Sequence, residues 1–196
     1  TRRCRVVAGV RRRWALLDRD GTINRQTKGA YVLSPDEMIL IPGAAEGLRA
    51  LRDLGLGLVV ISNQAPVARG WITQDELDAV NDRLRTLVEE EGVHLEAIYC
   101  CPHDRGDGCP CRKPEPGLLL RAAAELAFDP ADAFMVGDKT SDIEAGRRAG
   151  SATILVLTGE GAEHTEAGAD HVAADLLAAA GIIARDADAH PNEEVP

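Results

Sequence analysis

"LLDRDGTIN", residues 16–24, places two aspartates, Asp18 and Asp20, directly after an apolar run and before a glycine and a hydroxyl residue. The change from apolar to acidic marks a short buried strand, Trp14–Asp18, leaving a sheet into a polar turn. The pattern recurs along the chain. "LGLVVIS" (Leu56–Ser62) runs into "SNQ", and Ala133–Gly137 runs into "GDKTSD". Helical spacing separates these runs. "AAEGLRALRDL" (Ala44–Leu54) is followed by Gly55, a ready helix stop. Thr73–Glu91 opens with "TQDE", a capping-box pattern. Pro116–Ala127 has proline in its first turn, and Ser141–Ala149 follows the third run. His94–Cys101, Ala152–Leu157 and His171–Val172 read as further strands, with an Ala-rich helix from Ala174. Alternating strands and helices predict an α/β fold: a Rossmann-like, doubly wound parallel sheet. Such sheets bind ligands at the carboxyl ends of their strands, where "DRDGT", "SNQ" and "GDKTSD" all fall.

The composition narrows the function. The 196 residues are 45% hydrophobic, enough for one domain with a real core. Aromatics are only 3%, so Leu, Val, Ile and Ala must build that core. A net charge of −10 argues against a general nucleic-acid binder, which needs a basic face. No apolar run approaches the roughly 18–20 residues of a membrane helix. "TRRCRVVAGVRRRW" is too interrupted by Arg11–Arg13 to act as a signal peptide. The expectation is a cytoplasmic monomer without nucleic-acid or membrane partners. Residues 1–13 form a basic lead-in, 14–185 one domain and 186–196 a polar, disordered tail.

A lone Asp-x-Asp-Gly is ordinarily a cap or a turn. Here Asp18 and Asp20 leave one strand, and Asp138 and Asp142 can join them from another. Converging carboxylates repel one another unless a cation lies among them, and an all-oxygen set beside phosphate suits Mg²⁺. Ser62 and Asn63 with loop amides, and the ammonium of Lys113, supply what a phosphoryl group needs. A carboxylate in that setting can attack phosphorus, while a second can protonate the leaving oxygen and then activate water.

"CCPHDRGDGCPC" offers a second metal set, Cys101, His103, Cys109 and Cys111. Three thiolates and an imidazole in a Gly/Pro-rich loop suit a closed, structural Zn²⁺ site. Disulfides would be out of place in a cytoplasmic chain. Cys100 should face the other side of its strand, and Cys4 looks incidental. His94, His164, His171 and His190 show no partner pattern and read as surface or edge residues.

"DRDGT", "SNQ", "RKPEPG" and "GDKTSD", in that order, resemble the four motifs of the haloacid-dehalogenase-like phosphatases. The resemblance covers about Trp14 to Leu157. It implies Asp18 as nucleophile, forming an aspartyl-phosphate, and Asp20 as general acid/base. Ser62 and Lys113 would stabilise the phosphoryl group. Asp18, the main-chain carbonyl of Asp20 and Asp138 would hold Mg²⁺.

A cysteine loop directly before "RKP" is similar to two branches of that family. One removes the 7-phosphate of D-glycero-D-manno-heptose 1,7-bisphosphate; the other acts on histidinol phosphate. "GAYV", "SNQAPVARGW" and "CRKPEPGLLL" look more like the heptose branch, which typically reads "TNQSGIARG". Ser62 keeps the hydroxyl, whereas Pro66 replaces a loop glycine. The resemblance implies a small phosphorylated sugar as substrate, contacted by Asn24, Tyr31, Asn63, Gln64, Arg69, Arg112 and Lys139. Guanidinium chemistry favours Arg69 and Arg112 for a second phosphate. Too few residues separate Asp18, Ser62 and Lys113 for a large cap domain, so water should reach the site and hydrolysis is expected over phosphomutase chemistry. A non-catalytic zinc-bearing binding module is the contrasting class. It would not need the acid pair, Lys113 and Asp138 together.

Overall fold

The computed structural model describes residues 13–26 and 31–189. Among the described residues are six strands: β1 Trp14–Leu17, β2 Gly57–Asn63, β3 Ala97–Cys101, β4 Ala133–Gly137, β5 Ala152–Val156 and β6 His171–Ala173. Five helices accompany them: α1 Ala44–Asp53, α2 Gln74–Glu90, α3 Gly117–Glu125, α4 Thr140–Ala149 and α5 Leu176–Ala189. The strands form one parallel sheet in the order β3-β2-β1-β4-β5-β6. The chain winds outward from β1 to β3, then returns to lay β4 on the other side of β1. Strand order therefore reverses at β1 and β4, which places the ligand crevice of a doubly wound sheet beyond their carboxyl ends.

Both faces of the sheet are covered, so its strands are apolar throughout rather than alternating. Alternate residues go to opposite layers. Ala15 and Leu17 join Leu58, Val60, Val136 and Ile154 against α1, α2 and α5. Trp14 and Leu16 join Val59, Ile61 and Met135 against Leu118, Leu119 and Ala122 of α3 and Ala145 of α4. In the second layer Trp14 stacks on Phe128 at 4.6 Å.

The local signals hold at the helix ends. The Thr73 hydroxyl accepts the Glu76 amide while the Glu76 carboxylate accepts the Thr73 amide, a closed capping box. Gly55, with φ +79°, ends α1 as expected. β3 begins at Ala97 rather than His94, because only from there does it run in register with Val59 of β2. Most of the expected lead-in, residues 1–12, and the last part of the expected tail, 190–196, lie outside the described residues. Arg13 is no solvated charge: it pairs with Asp186 and lies over the Phe134 ring. Asp186 in turn belongs to α5, which continues to Ala189, past the expected start of the tail. Among the described residues no helix is long and apolar enough to cross a membrane.

Candidate active site

The carboxyl ends of β1, β2 and β4 open into a cavity of about 1070 Å³. Asp18 follows β1, and its amide donates to the Val136 carbonyl of β4 at 2.9 Å. Asp138 follows β4 one step further along. The pairing of Leu17 with Val136 thus brings the two carboxylates together. The chain must come very close to Asp138 there. Gly21 has φ +96°, and a Cβ on it would lie 2.2 Å from Asp138 Oδ2. Only glycine meets both demands, which accounts for its place in the "DRDGT" turn.

Asp18, Asp138 and Asp142 offer carboxylate oxygens that all lie within 4.8 Å of one another. All three residues are buried. Lys113 answers part of this charge. Its Nζ donates at 2.7 Å to Asp18 Oδ1, to Asp142 Oδ1 and to the Ile61 carbonyl, which uses its three protons. Burial opposes the ammonium, but the Asp142 and Asp18 charges more than offset this and hold the Lys113 pKa above its ordinary value. Asp142, whose part the sequence left open between cap and site, fills both roles. It pairs with Lys113 and accepts the Lys139 amide at 3.0 Å at the start of α4.

Two observations show that a divalent cation suits this cluster. Asp138 Oδ2 accepts the Glu160 amide at 2.8 Å, whereas Asp138 Oδ1 is buried without a hydrogen-bond partner. Burial, reinforced by the Asp18 charge, also pushes the Asp138 carboxyl up to about 8. Both are signs of negative charge packed beyond what one lysine neutralises.

Asp20 is held differently. Its carboxylate turns away from the cluster and accepts four hydrogen bonds. Arg19 donates from Nε and Nη2 at 3.2 and 2.9 Å, Asn24 from Nδ2 at 2.8 Å and Gln64 from Nε2 at 2.8 Å. Burial alone would raise its pKa, but the Arg19 charge and these bonds hold it below the usual carboxylate value. Gln64 also donates to Ser62 Oγ at 2.8 Å. Asn24 and Gln64 are thus fully buried behind Asp20 and do not line the cavity. Their side-chain amides are engaged in holding Asp20.

The other expected contacts divide in the same way. Tyr31, Asn63, Arg69, Arg112 and Lys139 line the cavity. Asn63 grips the Lys113 main chain from both sides, donating to its carbonyl and accepting its amide at 3.0 Å. Arg69 is committed to Asp104 by two bonds of 2.7 and 2.9 Å and lies over the rings of Tyr31 and Trp71. Arg112 gives one N–H to the His103 carbonyl. Lys139 donates to Gln26 at 2.8 Å. His164, read as a surface or edge residue, lines the cavity and bonds the Thr140 hydroxyl at 3.0 Å. Arg19 and Asn81 escaped the sequence reading, although an arginine between two aspartates at a buried strand end was a legible signal.

Beside the cavity, the ligand atoms of Cys101, His103, Cys109 and Cys111 lie within 4.8 Å of one another. The Cys111 sulfur is 3.2 Å from Cys101 and 3.4 Å from Cys109, and His103 Nδ1 is 3.3 Å from Cys111. The described cysteines are free. A tetrahedron with Zn–S bonds of about 2.3 Å has S···S edges of roughly 3.8 Å, close to this arrangement. Cys100 points to the other layer, where it accepts the Asn81 amide at 3.5 Å.

A family model described as HAD-hydrolase-like matches residues 110–179. The chain is 42% identical over 151 residues to D-glycero-beta-D-manno-heptose-1,7-bisphosphate 7-phosphatase of Pasteurella multocida, covering 74% of this chain and 81% of that one. The chain belongs to the haloacid-dehalogenase-like hydrolase family. It is also 41% identical over 179 residues to D-glycero-D-manno-heptose-1,7-bisphosphate 7-phosphatase of Chlorobaculum tepidum, covering 83% and 89% of the two chains. Among solved structures of the haloacid-dehalogenase-like family, D,D-heptose 1,7-bisphosphate phosphatase from B. bronchiseptica, complexed with magnesium and phosphate, superposes with a TM-score of 0.82. That match is at 34% identity and covers 88% of this chain and 99% of that one.

Proposed function

We propose that this protein is a Mg²⁺-dependent phosphatase that removes the 7-phosphate of D-glycero-D-manno-heptose 1,7-bisphosphate through an aspartyl-phosphate. The observation that carries the chemistry is Asp18, fixed by Lys113 and facing Asp138 at the floor of an open cavity. The named relatives carry the choice of sugar. Asp18 attacks phosphorus, and the leaving sugar oxygen takes a proton from Asp20. Asp20 then removes a proton from water, which attacks the acyl phosphate, releasing inorganic phosphate and restoring Asp18. Ser62 and Lys113 stabilise the phosphoryl group, Lys113 as a positive charge fixed beside Asp18. Asp18, the Asp20 main-chain carbonyl and Asp138 would hold Mg²⁺, which when bound would supply neutralising charge to the phosphoryl group and the neighbouring carboxylates. The test is a phosphate-release comparison of both anomers of heptose 1,7-bisphosphate, fructose 1,6-bisphosphate and histidinol phosphate, with ³¹P NMR of the product. A preference for histidinol phosphate would overturn the sugar assignment and leave the aspartate chemistry standing.

The Mg²⁺ assignment has a pH consequence. The folded Asp138 value of about 8 lies above the ordinary 3.8. Its contribution to metal-free stability is therefore complete at acid pH, below its ordinary value. It is lost as the pH climbs towards 8. A cation among the carboxylates reverses that penalty. The melting temperature of metal-free protein should fall from pH 5 to pH 8, and Mg²⁺ should raise it more at pH 8 than at pH 5. An increment independent of pH would count against a cation at Asp138.

Cys101, His103, Cys109 and Cys111 are proposed as ligands of one structural zinc, since four protein ligands leave no position open for water. Elemental analysis of protein prepared without added metal should find one zinc per chain. A metal-free protein that stays stable and active would refute this, as would a Cys101–Cys111 disulfide.

Arg112 is proposed to grip the distal, non-reacting phosphate. It stands between proposed zinc ligand Cys111 and Lys113, and among the described residues only one of its side-chain donors is bound. Arg69, locked onto Asp104, is the weaker candidate. Binding energy at a remote phosphate can orient the reacting one. Arg112→Ala should lower kcat/KM for a sugar bisphosphate about 10-fold or more beyond its effect on a monophosphate, the scale of losing a charged hydrogen bond. An equal loss on both substrates would place Arg112 elsewhere.

A further inference from the structure

Among the described residues Arg19 is the largest side chain with no exposure at all, and it is not used by the chemistry above. Its position follows from strand parity. Ala15 and Leu17 face the α2 side of the sheet, and Arg19 continues that row. Its guanidinium is bidentate on Asp20, and Nη1 donates to Asn81 Oδ1 on α2 at 2.9 Å. Asn81 is itself fixed by donating to Cys100 on β3. A buried guanidinium on its neighbour's carboxylate would satisfy charge alone. The added strut to a helix across the layer fixes direction as well, because a planar fork held at two edges cannot turn.

We propose that Arg19, braced by Asn81, is a positioning residue that sets where the Asp20 carboxylate stands relative to the phosphoryl group. This rests on the reading of Asp20 as proton donor and acceptor. Asp20 bonds Arg19 and Gln64 through Oδ2, and Arg19 and Asn24 through Oδ1. Asn24 and Gln64 come from the loops that follow β1 and β2, and Arg19 brings in α2. The acid/base group is thereby referred to three separate elements rather than to one loop. Proton transfer needs the carboxyl within hydrogen-bond reach of the sugar oxygen and then of water. Loosening one element should degrade both steps while leaving Asp18 untouched.

Two substrates separate this from a merely structural role. p-Nitrophenyl phosphate has a leaving group that needs no proton, whereas the heptose 1,7-bisphosphate leaving oxygen does. Arg19→Met risks the fold, so the decisive variant is Asn81→Leu, which removes the brace and keeps the buried ion pair. Expected is a full, one-equivalent burst of nitrophenolate at a rate within about threefold of wild type, followed by a stalled phospho-enzyme. Single-turnover cleavage of heptose 1,7-bisphosphate should fall about tenfold or more, a fraction of the roughly 10²–10⁴-fold that acid/base catalysis supplies. Asn81→Asp, which keeps the acceptor for Arg19, should restore heptose 1,7-bisphosphate cleavage and release the stalled phospho-enzyme. Equal losses on the two substrates, or none, would overturn the proposal. Asp20→Asn is the comparator. If it keeps sugar-phosphate turnover, the acid/base reading itself falls. If it shows the burst and stall while Asn81→Leu does not, only the brace falls.

Discussion

Asp18→Asn should reduce turnover by about 10⁴-fold or more, the scale on which removing a covalent nucleophile acts. The amide matches the carboxylate in size but is not an anionic nucleophile. The fold should survive, and the physical reason is unusual for a buried site. The Asp18 charge helps push up both Asp138 and Asp142, after their burial. Removing it relieves like-charge repulsion, and Lys113 keeps Asp142 as its counter-ion. The melting temperature of the metal-free variant should therefore equal or exceed that of wild type. Phosphate release on the preferred substrate, with thermal melts, checks both halves. Turnover within tenfold of wild type would remove Asp18 as nucleophile.

Lys113→Met should cost both activity and fold. The ammonium is buried between two carboxylates, and the methionine that replaces it donates nothing to Asp18, Asp142 or the Ile61 carbonyl. Breaking a buried pair from one side leaves an uncompensated charge and costs about 3–5 kcal/mol. Denaturant unfolding without Mg²⁺ should show a loss of that size, and Mg²⁺ should recover part of it. A loss under about 1 kcal/mol would mean that the carboxylates are neutralised by some other route. Asp18→Asn and Lys113→Met thus act on one ion pair with opposite effects on stability, a pattern that burial of apolar area cannot produce.

Much of the fold was legible because it rests on local rules. Apolar runs ending in acidic turns, a capping box at Thr73 and a helix stop at Gly55 are written in neighbouring residues. So was the grouping of Asp18 and Asp138, since both leave the carboxyl end of a parallel sheet, while Lys113, in the loop between β3 and α3, was joined to them by its charge and by the family resemblance. The four residues of the cysteine loop were legible because they lie within eleven positions of one another.

What sequence could not assign were side-chain partners brought from distant elements. Arg69 reads as a free cation until Asp104 is seen across from it, and Asn24 and Gln64 read as contacts until Asp20 is seen to occupy their amides. The α5 helix runs through "DADA" although composition reads it as tail, because Arg13 from the opposite end of the chain is there to pair with Asp186. Charge, size and spacing along the chain by themselves determined the sheet, its ligand-binding edge, the acidic centre and the cysteine loop. The tertiary structure alone decided which cations remain available and which way Asp20 faces. A hydrogen bond is spent on whatever lies within about 3 Å, and separation along the chain does not set that distance.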